Sequence, residues 1–234
     1  MTEHASWLLA LDTATSRVVV AAGTADGRLL GERTVPAEHR HGERLLAEVD
    51  ALVAGAGLDL ADLAGVIVGT GPGAFTGLRA GIATAKTLAH ELDVPIAGIS
   101  TAEALFDAAA AGGADGGPNA VSATVLLLPA GPHDRVEARR GRPPHLLPGG
   151  IEPDLTASDV VVAVDLGDRA PAAAGDRGAT ASAGLGAALL RLGLDRLADG
   201  SDDPATLVPE YVTLPRGALS EPDERGVSWS HDRR

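Results

Sequence analysis

The sequence predicts an α/β fold. Three observations carry this. The chain opens with short apolar, valine-rich runs separated by turn residues. An amphipathic helical stretch follows directly. After that, buried-type strands and helices alternate. With 234 residues, 45% of them hydrophobic, the chain is long enough for one large domain or two small lobes with a sizeable core. Only 2% of residues are aromatic and alanine supplies much of the apolar share, so elements can approach closely.

Trp7 to Leu11 is an apolar run ending in Asp12, and reads as the first strand. Arg17 to Gly23 is valine-rich and reads as the second. Asp26-Gly27 is a hairpin turn signal, and Arg28 to Val35 returns as a third strand, completing an antiparallel meander. In HGERLLAEVDALVAGAG, residues Leu45, Leu46, Val49, Leu52 and Val53 fall at helical spacing, and Gly55 and Gly57 end the helix. Leu63 to Gly69 is a buried-type strand, Phe75 to Leu92 a second helix, and Val94 to Ile99 a short strand. A third helix starts at TAEAL, capped by Ser100 or Thr101. This β-β-β-α-β-α-β-α order is that of a ribonuclease H-like lobe, one unit of the actin and sugar-kinase architecture.

Ala109 to Asn119 (AAAGGADGGPN) is a low-complexity break and marks the expected boundary between a lobe at 1–108 and a second at 109–215. In the second, Val121 to Leu128 and Val160 to Val164 read as strands, Ala170 to Gly178 as loop, and Ala179 to Leu197 as an alanine-rich helix. Residues 216–234 are polar and are expected to be a disordered tail.

The formal net charge of −13 disfavours direct binding to nucleic acid or to an anionic membrane. The chain has no cysteine, which excludes disulfides, thiolate catalysis and cysteine-ligated zinc. No stretch approaches the roughly 18 to 20 apolar residues of a membrane span. The N-terminus MTEHASWLLALD lacks the form of a secretory signal, so a cytoplasmic location is expected.

The glycine-rich stretch GTGPGAFTGLRAGIATAKTLA, residues 69–89, raises the question of a phosphate cradle. A Walker loop needs Lys-Ser/Thr after its last glycine, and here Lys86 lies well inside the helix. Gly69-x-Gly71-x-x-Ala74 fits a permissive dinucleotide pattern. However, Pro72 has no N–H to donate, and the next strand ends without an acid for ribose. The alternative is steric. Gly77, Gly81, Ala85 and Ala89 recur every four residues and let a neighbouring element lie close. A helix this poor in charge is either central to its own lobe or buried against a partner.

Asp12, Thr13 and Thr15 sit in the turn after the first strand. In actin-like ATPases that turn meets nucleotide phosphates, and an acid there can hold magnesium through water. A polar hairpin turn is the favoured reading here, with a vestigial phosphate loop as the alternative. The histidines, His39 and His41 included, form no HExxH or HxxxH pair, so no metal is expected.

Three segments together resemble the TsaB (YeaZ) family: LLALDTATSRVVVA, HGERLLAEVDALVAGAGLDLADLAGVIVGTGPGAFTGLRAGIATAKTLA and VPIAGISTAEAL. The likeness is close over residues 7 to 106, with a shorter echo at Pro209-Glu210-Tyr211-Val212. The resemblance implies two ribonuclease H-like lobes of the actin/sugar-kinase/Hsp70 (ASKHA) architecture. It also implies a non-catalytic subunit of the bacterial machinery for tRNA threonylcarbamoyladenosine. Such a subunit pairs with its catalytic paralogue TsaD, which modifies the adenosine beside the anticodon of tRNAs reading ANN codons. The ATPase TsaE joins them, and tRNA is met only through the complex. No resident cofactor is implied. A nucleotide shared at the complex interface, and a homodimer when the partner is missing, are left open. The implied pairing surface is Gly42–Ala54 with Phe75–Leu92. Its candidate residues are Arg44, Leu45 and Glu48 on the first helix and Phe75, Gly77, Leu78, Arg79, Gly81, Ile82 and Lys86 on the second.

The chain departs from the family pattern in places. Thr70 stands where Arg is usual, Ala74 where Ser is usual and Thr213 where Arg is usual, and no D-A-R-x-x-E-V-Y segment occurs in the second half. Two other functions fit the residues less well. An ATP-dependent phosphotransferase would need a convincing adenosine motif, and Gly149-Gly150 and Gly184-x-Gly186 are poor ones. A metallopeptidase would need the missing histidine pair.

Overall fold

The computed structural model describes residues 6–38, 40–113 and 124–212. It is a mixed α/β fold with two sheets. Strands β1 (Trp7–Asp12), β2 (Arg17–Thr24) and β3 (Leu29–Pro36) form the opening meander. Helix α1 (His41–Ala56), β4 (Leu63–Gly69), α2 (Phe75–Glu91), β5 (Ile96–Ile99) and α3 (Thr101–Ala111) follow. The first sheet has the order β3-β2-β1-β4-β5, with β1, β4 and β5 parallel. β1 is central and buried along its whole length, as an unbroken apolar strand between two neighbours should be.

The second sheet contains β6 (Thr124–Pro129), β7 (Arg135–Arg139), β8 (Arg142–Leu147) and β9 (Val160–Ala163) in the order β8-β7-β6-β9. It repeats the opening of the first: three antiparallel strands, the first of which then takes a parallel neighbour. Helices α4 (Ala172–Ala183) and α5 (Leu185–Ala198) complete the described elements.

Side chains alternate across β1, so its two faces serve two cores. Trp7, Leu9 and Leu11 join Leu45, Val49 and Leu52 of α1 and Ile82, Ala85 and Ala89 of α2. Leu8 and Ala10 face the other way, into a cluster running through α3 and α5 to Leu126, Leu128 and Val162 of the second sheet. Helices α1 and α2 thus cover the outer face of the first sheet, while α3 and α5 are sandwiched.

The second half differs from the sequence reading. The expected loop at Ala170–Gly178 is mostly α4, and the expected single helix is two, broken at Gly184. Tertiary packing decides this. Ala174, Gly178 and Ala181 are buried, and Gly178 lies so close to the Ala163 carbonyl that no side chain fits. Strands β7 and β8 were not read from sequence. β8 carries Pro143 and Pro144 and is an edge strand, where proline is tolerated. β7 buries charges that pair in place: Arg135 with Glu152, and Glu137 with Arg139. Gly55 lies inside α1, and it is Gly57, in the left-handed region, that ends the helix. Neither Ser100 nor Thr101 caps α3 by its side chain. Of the expected low-complexity break, Ala109–Ala111 is helical and 114–119 lies outside the described residues. His39, the first part of the strand expected at Val121, Thr213 and the expected tail lie outside them too.

Candidate partner-binding site

The glycine-rich loop between β4 and α2 is filled by the chain itself. Thr101 Oγ1 donates to Asp12 Oδ2 at 2.6 Å and accepts from Gly71 N–H at 3.0 Å. The other Asp12 oxygen accepts from the Ala14 N–H at 2.8 Å. The Ala14 carbonyl in turn takes the N–H of Ala74 at 2.7 Å, at the entrance to α2. Thr13 Oγ1 donates to the Gly77 carbonyl at 2.7 Å, and His41 Nε2 lies 3.1 Å from the Thr15 carbonyl. The glycines permit this interlock. A Cβ at Gly69 would strike the Asp12 carboxylate, and one at Gly73 would strike the Ala14 carbonyl.

Asp12, Thr13 and Thr15 are all buried. Burial pushes the Asp12 carboxyl above its ordinary value, against the pull of the Thr101 and Ala14 bonds and of nearby His41. A phosphate at this turn would have to expel the Ala14 carbonyl from the Ala74 N–H. In this structure Asp12, Thr13 and Thr15 serve as ties within the chain.

The segment after α5 runs back along the free edge of β5. Asp202 N–H donates to the Ile96 carbonyl at 2.9 Å, and Gly98 N–H donates to Asp202 Oδ2 at 2.8 Å. Leu207 is buried, and Glu210 N–H donates to the Thr70 carbonyl at 2.7 Å. Ser100 Oγ lies 3.1 Å from the Gly71 carbonyl and 3.3 Å from Glu210 Oε2. Partial burial pushes the Glu210 carboxyl up, opposed by Ser100 and reinforced by Glu103. This strap covers the sheet edge and sets Tyr211 against Phe75, ring centroids 5.1 Å apart. Arg79, one turn along α2, places its guanidinium 5.1 Å from the Phe75 ring centroid.

A cavity of about 630 Å³ lies between β2–β3 and α4, bordered by Arg17, Glu32, Thr34, Asp165 and Ser182. Glu32, pushed up by burial, bonds the Gly186 backbone at the start of α5, and Asp165 accepts from Ser16 N–H at 2.7 Å. Two carboxylates in these roles do not make a phosphate cradle. Among the described residues, no group of three or more His, Asp or Glu side chains could hold a metal ion. Among them too, no helix is long and apolar enough to cross a membrane.

A family model described as TsaD, tRNA N6-adenosine threonylcarbamoyltransferase, matches residues 34–133. An uncharacterised protein of Mycobacterium tuberculosis is 46% identical over 103 residues, 43% of this chain and 48% of that protein. The Bacillus subtilis protein named tRNA threonylcarbamoyladenosine biosynthesis protein TsaB is 36% identical over 104 residues, 42% of each chain. The solved structure of YeaZ from Pseudomonas aeruginosa superimposes with a TM-score of 0.58 at 22% identity, covering 87% of this chain and 98% of that one. The chain is similar to TsaB proteins in sequence over its first half and to YeaZ in fold over most of its length. Its sequence match spans about half the length of the curated relatives.

The placement of the candidate pairing residues sorts them into two groups. Leu45, Gly77, Leu78, Gly81 and Ile82 are buried within this chain. Gly81 faces the Thr13 hydroxyl and Gly77 the Thr13 carbonyl, so these two glycines of the small-residue stripe pack on the chain's own β1 turn. None of these five residues lies on the surface of the described chain. The others reach the outside. Arg44 pairs with Glu38 at 2.5 Å and Glu48 with Arg33 at 2.6 Å. Phe75 and Lys86 are part-exposed and Arg79 is exposed. Leu46 of α1, absent from the expected set, is 55% exposed. Tyr211 was also missed. Its PEYV segment is visible in the sequence, but nothing in the spacing says that it returns to Phe75.

Proposed function

We propose that this chain is a non-catalytic subunit of the machinery that makes threonylcarbamoyladenosine in tRNA. It has two ribonuclease H-like lobes of the ASKHA architecture, at 1–108 and 109–215. It pairs with a TsaD-type catalytic subunit through the outward faces of α1 and α2, with Arg44, Glu48, Phe75, Arg79 and Lys86 at the contact. TsaE joins the assembly, and tRNA is met only through the complex, in the cytoplasm. The names of the relatives support the pathway. The repeated strand pattern of the two sheets supports the paired lobes.

The observation that carries a non-catalytic role is the interlocked Asp12 turn. The acid that an actin-like ATPase would present to metal and phosphate is here buried under Thr101, Ala14 and Gly69. The same observation counts against an ATP-dependent phosphotransferase. The test is a reconstituted modification assay with TsaD-type and TsaE-type subunits, run with and without this chain, beside a pull-down. Modification that needs the chain, and co-purification with the TsaD-type subunit, are expected. Full modification without it would overturn the proposal.

A further inference from the structure

The chain has two phenylalanines, one tyrosine and two tryptophans. Aromatic side chains this scarce would normally go to the core. Trp7 and Phe106 do. Phe75 and Tyr211 instead lie against each other at the surface, with Tyr211 39% exposed, Val208 three residues before it 64% exposed, and Arg79 over the Phe75 ring. Tyrosine and arginine are the residue types that anchor protein interfaces. Arg79 has no carboxylate partner among the described residues, in a chain with a net charge of −13.

The patch is also pre-organised. Phe75 begins α2 immediately after a loop held by Ala14, Asp12 and Thr101, and Tyr211 follows Glu210, whose N–H is bonded to Thr70. A platform fixed by buried backbone bonds loses little freedom on binding. It is continuous with the outward face of α2, since Arg79 belongs to both.

Resting on the pairing proposed above, we infer that Phe75, Arg79 and Tyr211 form the energetic centre of the contact with the TsaD-type subunit. That subunit is expected to present an apolar surface to the two rings and a carboxylate to the Arg79 guanidinium. A protein partner is favoured over RNA because two cations, Arg79 and Lys86, on so acidic a chain make a poor phosphate contact.

The experiment is calorimetric titration of the full-length chain with the purified TsaD-type subunit, with circular dichroism to establish that each variant folds. Tyr211→Ala and Arg79→Ala are expected to weaken binding by about tenfold or more each. Tyr211→Phe, which keeps the ring, should stay near wild type. Arg79→Lys should recover little, because a stacked guanidinium is not replaced by an ammonium. Wild-type chain that does not bind the subunit overturns the pairing itself. Wild-type binding with Tyr211→Ala and Arg79→Ala unchanged overturns this assignment alone. So does unchanged pairing with loss of self-association or of tRNA binding, which would give the patch to a second copy or to RNA.

Discussion

Gly77 and Gly81 lie inside α2, where alanine in place of glycine ordinarily gains about 1 kcal/mol of helix propensity. The surroundings reverse that gain. A Cβ at Gly77 would come nearer than 3.0 Å to the Thr13 carbonyl, a backbone atom at the end of a central strand, and 3.2 Å from His41 Cδ2. Overpacking of this kind costs about 1–3 kcal/mol, and an obstructing backbone puts it at the upper end. Offset by propensity, Gly77→Ala should destabilise by about 2 kcal/mol, which lowers Tm by roughly 4–8 °C for a chain of this size. At Gly81 the obstacle is the Thr13 hydroxyl, a side chain. Its cost should therefore fall by about 1 kcal/mol in a Thr13→Ala background, while the cost at Gly77 should not. Urea unfolding of the three single and two double variants measures both, provided the slopes agree. A rise in midpoint for Gly77→Ala, or an identical cost for Gly81→Ala in both backgrounds, would refute the inward-facing stripe.

Further outcomes follow from the same geometry. The folded pKa of Asp12 lies above its unfolded value of roughly 3.9, so the native state holds the extra proton between the two and stability falls as pH rises through that window. Asp12→Asn should remove this slope, seen as a flatter plot of urea midpoint against pH above about 4; a parallel plot would count against it. Asp93 follows the end of α2 with φ of 53°, a left-handed conformation that glycine adopts more easily. Asp93→Gly should raise stability by about 1 kcal/mol, and a fall in urea midpoint would contradict this. A ligand at one hundred times its Kd adds about 2.7 kcal/mol of stability. Magnesium-ATP should add none to the isolated chain, and a saturable rise in Tm would reopen the phosphate reading of Asp12.

The first half of the fold was legible because each element there is announced locally. Val18 to Ala22 is β-rich, Asp26-Gly27 turns the chain, and Leu45, Val49 and Leu52 keep one helical face. The second half hides its elements behind tertiary effects. RVEAR reads as polar until Arg135 and Glu137, themselves buried, pair with Glu152 and Arg139, and GDRG reads as loop until Gly178 lies against β9. The site was half legible for a related reason. Spacing showed that Gly77 and Gly81 share a stripe, but not that Thr13 fills it. Spacing also cannot join Phe75 to Tyr211, because that contact depends on the route of the strap along β5.

The direction of the stripe bears on how a partner can be held. If the glycines faced outward, close backbone approach would carry the pairing and the side chains around it would matter little. They face inward, so α2 presents what projects from its far side, Phe75, Arg79, the exposed Ala83 and part-exposed Lys86 among them. Binding energy must then come from those side chains and from neighbours such as Leu46 and Tyr211. Substitution of the glycines should act on folding, and substitution at the outward positions on association. Gly81→Ala combined with Thr13→Ala tests this division directly. Once folded, it should bind the TsaD-type subunit as the wild type does, whereas Tyr211→Ala should bind more weakly at unchanged stability. Weakened pairing in the folded glycine variant would return the stripe to the interface.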